Sequence, residues 1–268
     1  MAAPEKGEHQ NVGRAARVIE ALAGAHDLGM RLTDVAEATG FGTATVHRLL
    51  GGLTRYGFVD HDRQSNRYFI GLQMVSWAAA ATERYGLAPF TDKSLDRLST
   101  ETADTVYFSL LSGHDSVCVD RREGLYPIKT LTLSVGDRRP LGVGAGSLAM
   151  LAFQPDAARA EILETDRERR ASYGIRDDFL VDAIARCRET GYALNSGWLI
   201  PGMSGVGVPV RRSDGQAVAA LSVAAVTARL SDSRLDGVVG WLKAEAAEIE
   251  ALAAAVLGTP FARRGSNR

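Results

Sequence analysis

The chain has 268 residues, of which 46% are hydrophobic, so it is long enough for one large or two ordinary domains with real cores. Its 31 Lys and Arg residues nearly balance its 32 Asp and Glu residues, and the formal net charge of -1 excludes proteins that bind nucleic acid through overall positive charge. Cys118 and Cys187 form no disulfide framework or zinc pattern, and no apolar run is long enough to span a bilayer, so we expect a cytoplasmic protein without metal.

The N-terminal part begins with a polar segment followed by a predicted helix. We expect Met1–Asn11 to be disordered, because it has no apolar pattern. Gly13–Ala23 carries apolar residues at positions i, i+3, i+4 and i+7, which predicts an amphipathic helix. Gly24–Arg31 is then expected to be a loop.

Leu32–Asp60 predicts two short helices that are joined by a glycine turn and followed by a strand. Leu32–Thr39 has one apolar face, and Thr33 is its expected N-cap, because a threonine hydroxyl can accept an otherwise unpaired backbone N–H. Gly40–Gly42 interrupts the helical period, which resumes at Thr43.

The second of these helices exposes a face that suits a DNA major groove. Its short side chains allow close approach of the backbone, and its hydroxyl, imidazole and guanidinium groups can bind base edges or phosphates. A helix-turn-helix presents its second helix in this way. The alternative is a small helical hairpin with a polar outer face. The candidate DNA contacts in the two helices are Thr33, Thr43, Ala44, Thr45, His47 and Arg48.

The segment after these helices predicts a β-hairpin, because two short extended stretches in Phe58–Ile70 flank a polar tip. Directly after a helix-turn-helix, such a hairpin forms a wing. Arg63, Asn66 and Arg67 lie near its tip and are expected to contact the DNA backbone or the minor groove. The order of elements favours DNA binding over a helical hairpin alone.

The rest of the chain predicts an α+β domain with an antiparallel sheet, because helices and alternating strands follow one another in mixed order. Ile70–Arg84 is alanine-rich and is expected to be a linker helix. The further predicted elements are a helix in Leu87–Thr102, strands at Thr105–Leu111, Val117–Arg121 and Ile128–Ser134, helices at Gly142–Phe153, Pro155–Glu164 and Asp178–Thr190, a hairpin of Val206–Val210 and Val218–Val226, and a closing helix at Ser231–Leu257.

The glycine-rich stretch Gly142–Ser147 matches no catalytic or nucleotide-binding motif. It lacks the last glycine of a dinucleotide loop, and its serine is not in a G-x-S-x-G elbow. His114 falls in a predicted turn, so we expect no catalytic residues and no cofactor. Two interpretations of the glycines stay open: a cradle for an anion at a helix start, or close packing of a helix on the sheet.

Several segments together resemble the IclR family of transcriptional regulators. The most specific is Thr43–Leu50 with the sequence TATVHRLL, which is followed by a Gly-Phe-Val strand and by the sequence RYFIG. The resemblance continues through TVYFSLLSGHDSVCVDRREG and GVGVPVRRSDGQAVAALSVAAVTARL. It implies a winged helix-turn-helix domain at residues 11–70, a linker helix with dimer contacts at 71–86, and a GAF-like effector-binding domain at 87–260.

The resemblance also implies an effector pocket lined from a strand, a helix start and a loop. This chain has Asn195 and Ser196 where relatives often have acidic residues, Ser204 and Gly205 in place of an Arg-Cys pair, and Ala224 in place of a second hydroxyl. We therefore expect a roomy, uncharged pocket that binds by shape and burial. The implied ligand-binding residues are Tyr107, Ile128, Thr130, Ala145, Gly146, Ser147, Asn195, Ser196, Trp198, Met203, Gly205 and Ser222.

The expected effector is an aromatic or medium-sized organic acid. Its carboxylate would lie at the helix start Ala145–Ser147, and its apolar body would pack against Tyr107, Ile128, Trp198 and Met203. The alternative is that Trp198 and Met203 are ordinary core or interface residues.

The functional hypothesis is a regulator that binds a double-stranded DNA operator as a homodimer or a dimer of dimers, since a near-palindromic operator matches a two-fold protein. The alternative is a small-molecule sensor or enzyme that uses the winged helix for protein contacts only.

Overall fold

The chain forms two compact units, Met1–Tyr85 and Gly86–Arg268. The computed structural model describes residues 9–25, 28–78 and 88–257. Within these ranges no helix is both long enough and apolar enough to cross a membrane. Residues 73–78 are helical, whereas residues 79–84 of the expected linker helix lie outside the described residues.

Up to residue 70, the described part of the first unit contains three helices and a small hairpin. Its elements are α1 (His9–Gly24), α2 (Leu32–Thr39), α3 (Thr43–Arg55), β1 (Val59–Asp62) and β2 (Arg67–Ile70). Apolar residues from all three helices and β1 form one core, and those at its centre include Val18, Val35, Val46 and Leu50. The expectation of disorder through Asn11 is wrong for residues 9–11, because α1 begins at His9.

The expected cap of α2 is also wrong. The N-cap is Arg31, and the Oδ2 atom of Asp34 accepts a hydrogen bond from the Arg31 N–H at 2.9 Å. Thr33 lies inside the first turn, where its hydroxyl contacts Asp34. An aspartate three residues after the cap can satisfy the cap's own N–H, so the N-cap lies two residues earlier than the expected Thr33.

The second unit is a six-stranded antiparallel sheet with helices on both faces. The strands lie in the order β5-β4-β3-β8-β7-β6. The elements are α4 (Ala88–Thr102), β3 (Thr105–Ser112), β4 (Asp115–Glu123), β5 (Arg138–Pro140), α5 (Ala145–Ala152), α6 (Asp156–Thr165), α7 (Arg167–Ala171), α8 (Asp177–Thr190), β6 (Ala193–Ile200), β7 (Met203–Arg211), β8 (Ala217–Val226), a 3-10 turn (Thr227–Arg229) and α9 (Asp232–Leu257).

The period of two along the central strands separates the two faces of this sheet. Phe108, Val208 and Leu221 point to one face, where they pack with α4 and α9. Residues of the opposite parity, such as Ala220, pack with α5 and α8. The same alternation turns Ser222 toward the α5 face.

Two segments differ from the expected secondary structure. Ile128–Ser134 is not a strand, because its backbone carbonyls are bound by side chains rather than by a neighbouring strand: Tyr107 donates to the Thr130 carbonyl and Arg121 to the Leu133 carbonyl. The loop implied from Asn195 onward begins instead inside strand β6 (Ala193–Ile200), which pairs with β7 through an irregular register.

A buried carboxylate joins three elements of the second unit. Asp104, which follows α4, accepts hydrogen bonds from Arg229 Nε at 2.8 Å and from Arg234 Nη1 at 2.9 Å. Its side chain is 1% exposed, and those of the two arginines are 23% and 27% exposed. Both carboxylate oxygens therefore have cationic partners at the junction of α4, β3 and α9.

We predict that Asp104→Ala lowers the free energy of unfolding of the full chain by about 3 kcal/mol, because two partly buried guanidinium groups lose their only carboxylate in this cluster. Urea unfolding measures the loss. As a control, Glu164→Ala removes one partner of an exposed ion pair with Arg167, and a change below about 0.5 kcal/mol is expected. Equal losses in the two variants would contradict the structural role of Asp104.

Candidate DNA-binding surface and ligand cavity

Helix α3 has one face in the core and one in solvent. Val46, Leu50 and Leu53 are buried. The candidate DNA contacts of this helix lie on the other side: Thr43, Ala44, His47 and Arg48 are exposed, and Thr45 is half-buried. The helix contains no Asp or Glu, so its exposed face carries positive charge without a compensating carboxylate of its own. Such a face is complementary to a polyanion.

The turn of the β1–β2 hairpin is organised by Asp62. Its carboxylate accepts hydrogen bonds from the Ser65 hydroxyl at 2.5 Å and from the Gln64 N–H at 2.9 Å. Both bonds lower the pKa of Asp62, and the bond from Ser65 has the larger effect. Asn66 adopts a left-handed backbone with φ of +54°, and its side chain lies 3.1 Å from His61 Nε2. Arg63 is left exposed at the tip.

Arg67 does not lie free near the tip as expected. Its Nη1 donates to the carbonyl oxygens of Leu28 and Gly29, at 3.1 and 2.9 Å. Because β2 pairs across the sheet with Asp62 opposite Arg67, the side chain falls over the backbone of residues 28–29 rather than over solvent. Arg67 Nη1 thus fixes the hairpin to the backbone of residues 28–29, and a direct DNA contact by Arg67 stays a prediction.

One cavity of the second unit lies between the sheet and the start of α5, with a volume of about 60 Å³ inside a space of about 620 Å³ that includes open solvent. Nine of the implied ligand-binding residues lie around it, from β3, the segment before β5, α5, and strands β6 to β8. They are Tyr107, Thr130, Ala145, Gly146, Ser147, Asn195, Met203, Gly205 and Ser222.

Three implied residues lie elsewhere. Ile128 is 54% exposed, because the segment that contains it has no strand partner to fix which side faces the cavity. The irregular register of β6 leaves Ser196 exposed. Trp198 packs edge-on against Phe179 of α8, with ring centroids 5.2 Å apart. It therefore packs between helix and sheet, in agreement with the alternative interpretation, and does not line this cavity.

The cavity is not uncharged. Arg139 of β5 lines it, and its Nη2 donates to the Thr132 carbonyl oxygen. Burial lowers the pKa of this guanidinium from its ordinary value. Sequence reasoning missed Arg139, because the run Arg138-Arg139-Pro140 has neither a strand pattern nor a binding motif. Other lining residues that it missed include Thr132, Leu133 and Val143.

The start of α5 is held rigidly against the sheet. The Ser147 hydroxyl accepts the Gly142 N–H at 3.0 Å and donates to the Pro140 carbonyl at 2.9 Å. A Cβ at Gly207 of β7 would approach Gly146 N to 2.6 Å, so helix and strand touch backbone to backbone. Gly207 therefore provides the close helix–sheet packing, while the first-turn N–H groups of α5 have no partners within the helix.

Family profiles match both units of the chain. The profile described as "IclR helix-turn-helix domain" matches residues 11–63. The profile described as "Bacterial transcriptional regulator IclR C-terminal" matches residues 79–251.

Individual relatives extend over most of the chain. The HTH-type transcriptional regulator XynR of Escherichia coli is 27% identical over 230 residues, which are 84% of this chain and 90% of that protein. The crystal structure of an IclR transcriptional regulator from Alicyclobacillus acidocaldarius covers 90% of this chain and 97% of its own, at 28% identity and a TM-score of 0.76.

A further solved structure shares the fold. It is an IclR homolog from Microbacterium hydrocarbonoxydans complexed with 4-hydroxybenzoate, which covers 90% of this chain and 98% of its own with a TM-score of 0.73 and 19% identity. The first unit is a helix-turn-helix whose second helix exposes a cationic face, and the antiparallel-sheet unit follows it in the sequence. Because family profiles match both units, this chain belongs to the IclR family of transcriptional regulators.

Proposed function

We propose that this regulator binds its DNA operator under the control of a small organic acid, aromatic or medium-sized, that occupies the cavity beside α5. The observation that carries the proposal is the cavity itself, in which a helix start meets a wall of apolar side chains, among them Val143, Leu199 and Met203. Such pockets bind compact ligands by burial, with a few polar groups that fix orientation. The 4-hydroxybenzoate bound by a homolog of the same fold is a ligand of this size and class.

The DNA-binding part of the proposal rests on the exposed face of α3 and on the hairpin tip. In a helix-turn-helix the N-terminal part of the second helix reads base edges, which assigns this role to Thr43, Ala44, Thr45, His47 and Arg48. Arg63 at the tip is suited to the phosphate backbone, whose contacts position the protein without reading sequence.

Control of DNA binding requires that the ligand prefer one arrangement of the protein over another. We infer that the regulator acts as a homodimer or a dimer of dimers on a near-palindromic operator, since two symmetric half-sites match a two-fold protein. A ligand that changes the distance between the α3 helices of the two protomers would then change the affinity of the dimer for the whole operator.

We further propose that the chain is not an enzyme. His114 is the one candidate proton-transfer residue considered from the sequence. Its Nδ1 lies 2.7 Å from Asp166, which also binds Arg169 at 2.8 Å, so the imidazole belongs to an ion-pair cluster rather than to the cavity lining. The alternative function, a sensor or enzyme that uses the winged helix for protein contacts only, predicts that the purified chain enriches no motif from random DNA.

We predict that Arg48→Ala and His47→Ala each weaken binding to a DNA sequence selected by the wild-type chain, by about 5- to 100-fold, because each removes a base-edge contact. Affinity for unrelated DNA should fall less. Fluorescence anisotropy with both DNAs measures the difference. The control is Arg186→Ala, which removes an exposed arginine of α8 and should leave both affinities unchanged.

Arg63→Ala should weaken binding to selected and unrelated DNA alike and reduce the slope of log affinity against log salt by about 1, because one phosphate contact and its counterion are lost.

Arg67→Ala should instead lower the thermal midpoint of the first unit, since the hydrogen bonds of Arg67 to the backbone of Leu28 and Gly29 hold the hairpin. Normal DNA binding by all of the α3 and Arg63 variants would place the DNA-binding surface elsewhere.

We predict that at least one aromatic monocarboxylic acid that binds the chain shifts its affinity for the selected DNA by about 5- to 150-fold, the usual range of coupling between two sites. The measurement is a DNA titration at zero and at saturating acid. Unchanged affinity with every acid that binds would contradict ligand control.

A further inference from the structure

Arg139 places a cation beside the start of α5. A Cβ at Gly144, the N-cap residue, would lie 3.6 Å from the Nη1 atom of Arg139. The other terminal nitrogen donates to the Thr132 carbonyl. Within the described part of the chain, no carboxylate lies within ion-pair distance of this guanidinium, whereas most other partly buried arginines there have one, as Arg121 and Arg122 do.

A guanidinium beside a helix N-terminus is electrostatically unfavourable when no anion accompanies it. The N-terminus of a helix carries partial positive charge, so it attracts anions and repels cations. Burial also disfavours the charged form of Arg139 and lowers the pKa of its guanidinium. The group nevertheless stays protonated at neutral pH, as arginines do in proteins. An anion placed between the guanidinium and the α5 N–H groups would relieve both effects.

A second polar group at the same place lacks a partner. Thr130 is 1% exposed, lines the cavity, and its buried hydroxyl has no hydrogen-bond partner. Buried hydroxyls are almost always hydrogen-bonded in folded proteins, and an unpaired one calls for a group that completes the site. The Thr130 hydroxyl can donate to an oxygen of a bound anion.

The remaining lining limits the charge of that anion. Of the described residues around the cavity, Arg139 is the one cation, and none is Asp, Glu, Lys or His. The lining away from Arg139 offers the Asn195 amide, the Ser204 hydroxyl and the apolar side chains of Leu199 and Met203. A second carboxylate on the ligand would therefore be buried against neutral groups only, at a large desolvation cost.

We propose that Arg139 is the specificity-determining anchor of the effector, and that the effector is a monoanion whose single carboxylate binds between Arg139, the start of α5 and Thr130 while its uncharged body faces Asn195 and Met203. This inference rests on the proposed function, because it concerns the same cavity. It adds the charge class of the ligand and the residue that selects it.

Calorimetry on the full-length chain tests the inference with pairs of acids and neutral amides: benzoate and benzamide, phenylacetate and phenylacetamide, 4-hydroxybenzoate and 4-hydroxybenzamide. We expect at least one acid to bind, with its amide at least tenfold weaker. Arg139→Met should weaken that acid by about 10- to 100-fold, because a charge-assisted hydrogen bond is lost, and leave the amide within about threefold. Arg139→Lys should weaken it less.

Matched controls separate the anchor from general damage. Arg138→Met changes the neighbouring residue of β5, whose guanidinium pairs with Asp115 at 3.1 Å, and should leave acid affinity unchanged. Without ligand, Arg139→Met should unfold at a midpoint no lower than wild type, because an uncompensated cation has been removed. Terephthalate, a dianion, should bind at least tenfold less tightly than 4-hydroxybenzoate.

Three results would overturn the inference: no acid of the panel binds, Arg139→Met weakens acid and amide equally, or terephthalate binds as tightly as the monocarboxylate. A different result would contradict the proposed function. An acid that binds through Arg139 but leaves affinity for the selected DNA unchanged would contradict ligand control of the operator and leave the anchor in place.

Discussion

The backbone contact between α5 and β7 is the constraint on which the candidate ligand site depends. Because Gly207 has no side chain, the first turn of α5 lies directly on the sheet, and the Ser147 hydroxyl locks the turn that precedes it. The direction of the helix, and with it the position of its unpaired N–H groups, is therefore fixed before any ligand arrives. A site that is organised in advance spends little binding energy on ordering itself.

The parts of the molecule that were predictable from the sequence are those with local causes. The helical period of α2 and α3, the glycine turn between them and the polar tip of the hairpin each act within about ten residues, and each is found where it was expected. The antiparallel α+β class followed from alternation along the central strands, in particular the β7–β8 hairpin. These elements also carried the resemblance that identified the family.

What the sequence did not predict depends on contacts between distant residues. Ile128–Ser134 has the alternation of a strand, but its carbonyls are bound by side chains of β3, β4 and β5, so no ladder forms. Trp198 was expected in the cavity, yet the irregular pairing of β6 directs it to α8. Arg139 becomes visible as a candidate only when β5 pairs with β4 and turns one arginine of an adjacent pair inward and the other outward.

The placement of Arg139 on β5 has a consequence for how such regulators diversify. β5 has three residues, lies at the outer edge of the sheet and pairs with β4 alone, and of its three residues only Pro140 is buried. If Arg139 anchors the effector, a substitution at this position changes the charge that the ligand meets, while Pro140 keeps its hydrogen bond to Ser147. The charge class of the ligand could then change through one substitution at a partly exposed sheet edge, where substitutions usually cost little stability.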